Sequence, residues 1–380
     1  MKVAVCILLA WAAGSSEGKP VEQIIEELRS GSARTQEQAA SELRHLALNA
    51  DNQVAIAQAG GIAPLVELTV SGSAFAKEKA AWALSNLALN ADNRVAIAQA
   101  GGIAPLVELT HSGSAGAKEQ AAGALWSLAV NADNKVAISQ AGGIAPLVEL
   151  THSGSAYAKE LAAGALKNLA VNADNKVAIA QAGGIAPLVE LTHSGSAYAK
   201  ELAAAALWNL ALNDDNEVAI AQAGGIAPLV ELTRSGSAGA KERAAGALWS
   251  LALNADNQVA IAQAGGIGPL VELTRSGSAY AKERAAGALR NLALNADNKV
   301  AIAQAGGIAP LVEHPRSSSA GANDWEIDIA LWLIVFLNIF RIVFWRTQKV
   351  EGSNVAPLLS ARHARSDAAV AEDNDDPRCA

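Results

Sequence analysis

A Gly-Gly pair recurs at a fixed interval, and this period restricts the fold more than any other feature of the chain. It stands at Gly60-Gly61, Gly101-Gly102, Gly142-Gly143, Gly183-Gly184, Gly224-Gly225, Gly265-Gly266 and Gly306-Gly307, every step being 41 residues. Prolines keep the same step, at Pro64, Pro105, Pro146, Pro187, Pro228, Pro269 and Pro310. Self-similarity of this length marks a stack of supersecondary units. No unit can bury its own apolar face, but neighbours bury it for one another. The unit reads NADNKVAIAQAGGIAPLVELTHSGSAYAKELAAGALKNLAV, and six full copies run from about 51 to 296. A partial copy precedes them, VEQIIEELRSGSARTQEQAASELRHLALN. Another follows at 297–322, where LVEHPRSSSAGAN still tracks LVELTRSGSAGAK.

Each unit predicts three helices. DNKVAIAQA is opened by an Asp/Asn N-cap and stopped by Gly-Gly. IAPLVELT carries its proline in the first turn, where a missing N–H costs nothing. Ser-Gly-Ser then breaks the chain, and Ser73 and its equivalents can cap a third helix of about four turns, AKELAAGALKNLALN. No window alternates with the period of two that a half-buried strand requires. Hydrophobic residues make up 51% of the chain but aromatics only 4%, so alanine must fill much of the interior. Ala80, Ala81 and Ala83 and their equivalents allow neighbouring helices to approach closely. The fold class expected is therefore all-α, a solenoid.

The three-helix unit, the AGGIAPLVEL segment and the GALKNLA or WALSNLA ending resemble the armadillo (ARM) repeat family over about 21–322. That resemblance implies a right-handed superhelix whose third helices line a concave groove, a groove that in the family binds extended peptides. On the third helix, positions 75, 79, 82 and 86 share one stripe by helical spacing, and the resemblance places this stripe in the groove. Its last position holds Asn86, Asn168, Asn209 and Asn291, with Ser127 and Ser250 replacing two rungs and His45 in the first, partial unit. A carboxamide carries both donor and acceptor groups and can bridge the N–H and C=O of a peptide backbone; the alternative is an Asn that merely bonds a neighbouring segment. Phe75, Tyr157, Tyr198 and Tyr280 share one position, interrupted by Gly116 and Gly239. Trp126, Trp208 and Trp249 precede the Ser or Asn rung, and Trp82 makes the single WxxxN pair, with Asn86. Aromatics of this kind anchor binding surfaces. Packing between helices is the alternative, but Ser, Lys167 or Arg290 in equivalent places is a volume change that a core position does not tolerate. Differences between copies concentrate at 70, 75, 79, 82, 85, 86 and 94, mostly on or beside this stripe.

The expected function is thus a non-enzymatic scaffold, tethered to a membrane by a C-terminal transmembrane helix, that binds an extended segment of another protein. The runner-up is a soluble cytosolic or nuclear adaptor of importin-α type that recognises basic peptides. The net charge of −8 argues against nucleic acid as the partner. No Ser/His/Asp set, paired carboxylates or phosphate loop is discernible, so no catalytic residue, small-molecule substrate or cofactor is expected. His111, His152 and His193 fall one per layer, too far apart to share a metal whose ligands lie about 2 Å from it, and instead suit the C-terminal ends of second helices. Cys6 and Cys379 stand at opposite ends and offer no disulfide framework.

Both ends break the pattern. Residues 1–16, MKVAVCILLAWAAGSS, have the form of a secretory signal peptide, with a hydrophobic first helix capping the array as the alternative. Within 323–346, the apolar run 329–345 reaches the 17 residues at the lower limit of a bilayer span. A helix capping the last unit and a mistaken gene model are the alternatives. Arg341, Arg346 and Lys349 against Asp324, Glu326 and Asp328 place the tail inside. By these signals the repeats at 17–322 face a lumen or the exterior, whereas the family norm is cytosolic or nuclear. The acidic tail, 347–380, is expected to be disordered.

Overall fold

A computed structural model describes residues 19–313. The expected signal peptide, hydrophobic C-terminal segment and acidic tail lie outside these residues. Among the described residues there are twenty-two helices, α1 to α22 in chain order, and no strand. The partial first unit supplies α1 (Val21–Ser30) and α2 (Ala33–Leu46), a second and a third helix. One full unit then runs α3 (Ala50–Gln58), α4 (Ile62–Ser71) and α5 (Ala74–Leu87). The remaining third helices are α8 (Ala115–Leu128), α11 (Ala156–Leu169), α14 (Ala197–Leu210), α17 (Ala238–Leu251) and α20 (Ala279–Leu292). The array closes with α21 (Ala296–Gln304) and α22 (Ile308–Glu313).

The first helix starts earlier than the Asp-Asn pair suggests. In helix Ala91–Gln99 the cap is Asn90, whose Oδ1 accepts from the N–H of Asp92 at 2.9 Å and of Asn93 at 3.1 Å. Asp92 lies inside the first turn, where its charge suits the helix dipole, and Asn93 is buried. The stop is a Schellman turn. Gly61 N–H donates to Ile56 C=O and Gly60 N–H to Ala57 C=O, both at 2.9 Å, with Gly60 at φ 76°. The second glycine answers a different demand, since a Cβ there would stand 2.8 Å from Ile56 Cγ2.

Pro64 is the third residue of α4, within the turn whose N–H groups have no helical partner. Ser73 caps α5 by accepting from Ala76 N–H at 3.1 Å. Along α5, Ala80, Ala81, Ala83, Leu84 and Leu87 are fully buried. Each leucine contributes roughly 1.5–3 kcal/mol relative to exposure, and the alanines set how closely the layers stack.

Third helices pack directly on one another from α2 through α5, α8, α11, α14 and α17 to α20, whereas successive second helices touch far more sparsely. The third helices thus make one continuous face along the array. Among the described residues no single helix is long and apolar enough to cross a membrane. One bent pair, Ala50–Gln58 with Ile62–Ser71, meets the length and composition required, but with an 83° break at the Gly-Gly turn.

Candidate functional site

The stripe expected from helical spacing exists, and its members interlock from layer to layer. Each of the four asparagines donates Nδ2 to a backbone carbonyl of the preceding third helix: Asn86 to Arg44 at 2.9 Å, Asn168 to Trp126 at 3.0 Å, Asn209 to Lys167 at 2.9 Å and Asn291 to Trp249 at 3.0 Å. The acceptor being a carbonyl fixes the orientation of each amide. Oδ1 and the second N–H hydrogen of these groups make no hydrogen bond among the described residues. Ser127 and Ser250 are too short to reach across and make no such bond. Their helices, α8 and α17, also carry Gly116 and Gly239, and they pack most intimately on the helix before them. A Cβ at Gly116 would meet the Glu78 carboxylate at 2.2 Å, and one at Gly239 would meet that of Glu201 at 2.3 Å. These two glycines make room for a side chain of the preceding layer.

The tryptophans are neither fully core nor free. All four are half-buried. Trp126, Trp208 and Trp249 lie on glycines of the next third helix, where a Cβ at Gly164, Gly246 or Gly287 would stand 2.6, 2.7 or 2.8 Å from the indole. The volume changes that argued for a surface position are therefore compensated across the junction, bulk on one helix against its absence on the next. Trp82 reverses the arrangement, with the Arg44 guanidinium of the preceding layer 3.9 Å over its ring. The indoles also reach beyond the adjacent layer. Trp126 meets Tyr198, two third helices along, with ring centroids 6.4 Å apart, and Arg284 lies 4.9 Å over Trp208, likewise two along. Phe75, Tyr157, Tyr198 and Tyr280 stand open at the N-terminal rim, 49–64% exposed.

Sequence reasoning did not single out the cations of this face. Lys79 lies 4.3 Å over Phe75, and Arg284 also lies 5.3 Å over Trp249. Arg44 Nε and Arg284 Nε are buried without a hydrogen-bond partner. Burial holds the Lys167 amine below its usual range, and repulsion from Arg243 adds to this. The glutamates beside the stripe turn toward the next layer, where Ser73 donates to Glu37 and Ser155 to Glu119, both at 2.5 Å. Ser196 and Ser237 donate to Glu160 and Glu201 in the same way.

A second asparagine row was also missed. Asn93 Nδ2 donates to Gln53 C=O at 3.0 Å and Leu87 C=O at 3.1 Å, and Asn134, Asn175 and Asn216 repeat the double bond. Its signal was invariance, since every described unit has Asn there. Glu217, the residue after Asn216, is buried, and its carboxyl is pushed up to about 7 by that burial and by Asp214. His111, His152 and His193 occupy last turns of second helices, as expected. At the same position, however, Arg234 and Arg275 bond Gly265 C=O and Gly306 C=O of the following unit, at 3.0 and 2.8 Å. Among the described residues no three His, Cys, Asp or Glu side chains converge to hold a metal.

Residues 20–305 match the family described as the plant U-box protein ARM repeat region. No curated protein matches the chain. Among solved structures, an engineered protein is 34% identical over 80% of this chain and 75% of its own, with a TM-score of 0.73. A designed armadillo repeat protein is 26% identical over 61% of this chain and 100% of its own, with a TM-score of 0.58. A second design, in complex with peptide (KR)4, is 26% identical over the same shares, with a TM-score of 0.56.

Proposed function

Since the chain belongs to the armadillo repeat family, we propose that its array, wound as a right-handed superhelix, is a non-enzymatic scaffold that holds an extended segment of another protein along its third-helix face. The observation that carries this reading is the condition of the asparagines. Asn86, Asn168, Asn209 and Asn291 are fixed by one bond each to the layer before. The unused acceptor and hydrogen of each amide are thereby pre-oriented, and ordering a side chain in advance lowers the entropic cost of binding. Ser127 and Ser250 interrupt the row, so backbone contact is expected to be discontinuous. Trp82, Trp126, Trp208 and Trp249 floor the face, and Phe75, Tyr157, Tyr198 and Tyr280 supply adaptable rim contacts.

The test uses the full chain and peptides selected on it from a random display library. Replacing Tyr157, Tyr198 and Tyr280 by Ala together with Asn168→Ala is expected to weaken capture by about tenfold or more with circular dichroism unchanged. Capture equal to wild type overturns the assignment. The importin-like reading draws on the designed relative in complex with (KR)4, but the stripe offers one WxxxN pair and several cations. The side of a membrane on which the array sits is tested by protease protection on microsomes, using an epitope inserted at 194–196. Survival until detergent is added supports a lumenal array, and immediate loss supports a cytosolic one.

A further inference from the structure

The geometry points to an acidic extended segment as the occupant of this face, with carboxylates clustered at its two ends and apolar side chains between them. This rests on the groove reading above and adds the class of partner.

The chain as a whole is acidic, yet positions 79, 82, 85 and 86 and their equivalents from α2 to α20 hold no Asp or Glu. The cations there gather mostly at the two ends, Arg44 and Lys79 toward the N-terminal end and Arg243, Arg284 and Arg290 toward the C-terminal end. The middle of the face carries Trp126, Tyr198 and the half-buried Lys167, with Leu161 and Leu202 buried beneath.

The adjacent glutamates do not cancel these groups. Glu37, Glu119, Glu160 and Glu201 face the serine caps of the next layer. Glu78, Glu242 and Glu283 each lie beside the cation that follows in sequence, at 2.6, 3.2 and 3.9 Å. The two arginine contacts are partly exposed and leave further guanidinium N–H groups for a second carboxylate, whereas the Lys79–Glu78 contact is largely buried and offsets more of its charge. The Arg44 and Arg284 guanidiniums rest on indole faces, which attract a cation without neutralising it. Their Nε atoms are buried without an acceptor. A buried donor left unpaired is unfavourable, and a guanidinium held in one plane is prepared for a carboxylate. Lys167, half-buried in the middle of the face, is disfavoured as a cation chiefly by burial, with Arg243 adding to this and Glu201 opposing it.

Spacing sets the pattern the occupant must carry. From α5 to α17 is four layers, roughly 32–40 Å at about 8–10 Å per layer. Extended backbone covers that in roughly 10–12 residues. A segment with two acidic clusters at this separation places each over one cationic group.

Fluorescence anisotropy on the full chain tests this with three labelled probes. The first is a peptide of about 16 residues with Asp/Glu at both ends and Leu/Thr at the centre. The second is its Asn/Gln counterpart, and the third is (KR)4. The acidic peptide is expected to bind at least about tenfold more tightly than its amide counterpart, with an advantage that shrinks between about 50 and 300 mM salt. Lys79→Gln, Arg243→Gln and Arg284→Gln together should remove the advantage without changing helicity. Equal affinity for acidic and amide peptides, tighter binding of (KR)4, or an advantage that survives the triple variant each overturns the acidic partner and leaves the groove standing. Binding of none of the three overturns both readings.

Discussion

Two rows of asparagine run the length of this array and make the same kind of bond, but only one is unbroken. The row on the first helices, from Asn93 to Asn298, is 2–4% exposed, and each Nδ2 reaches a carbonyl of the preceding unit. The row on the third helices is mostly half-buried and yields to Ser127 and Ser250. The difference lies in what replaces a lost amide. In the interior, deletion removes a fully packed side chain and two bonds at once, and nothing fills the space. On the third-helix face, a shorter side chain loses one bond at a position that is mostly half-buried and open to water. Asparagine is therefore obligatory on one side and adjustable on the other, and the adjustable side is where the copies differ.

The largest expected effect tests that contrast directly. Asn175→Ala removes two buried bonds and should destabilise the array by about 2–4 kcal/mol in urea titration, against about 0.5–1.5 kcal/mol for Asn168→Ala. Equal losses would erase the distinction between the rows. A second comparison sets two glycines of the same position against each other. Gly164→Ala drives a Cβ to 2.6 Å from the Trp126 indole and should cost about 1–3 kcal/mol, with Trp126→Ala in the same chain recovering part of it. Gly123→Ala meets the Ser85 hydroxyl at 3.1 Å and the Leu161 methyls at an ordinary 3.7 Å, and the better helix propensity of Ala should make it neutral or stabilising by up to about 1 kcal/mol.

The third comparison concerns Glu217, next to the buried row. Its carboxyl, raised to about 7, favours the folded state fully when protonated, below the ordinary carboxylate range. That contribution is lost as pH rises through about 7. At the same position Gln53 and Gln258 donate to Ala47 and Ala252 carbonyls at 3.0 and 3.1 Å. Glu217→Gln should therefore raise stability at pH 8 by on the order of 1–2 kcal/mol and flatten the pH dependence between about 5 and 7. Thermal melts at three pH values read both.

The architecture was legible because repetition multiplies weak signals. One Gly-Gly or one Ser-Gly-Ser says little, but the same stop and the same cap at every step fix three helices per unit. The first cap was misread because Asn-Ala-Asp-Asn offers three capping residues within four positions, and burial, not propensity, decides which caps. The same ambiguity concealed the interior row, since Asn93 resembles a cap residue until the layer before it is in place. On the third helices, the stripe brings positions 75, 79 and 82 together, with Lys79 over the Phe75 and Trp82 rings. Its energetics were not legible, because Trp126 answers to Gly164, which lies 38 residues away, and no periodicity along one helix reveals that pairing.

That pairing bears on inheritance. Near-identical units in tandem invite unequal crossing-over, which removes or adds one unit at a time while leaving the helices in phase. Losing 214–254 would bring Trp208 to Gly287 in place of Gly246, and the junction would close as before. Losing 132–172 would bring Trp126 to Ala205, whose methyl group occupies the space the indole needs. The array can thus shorten silently at some joints and only with damage at others.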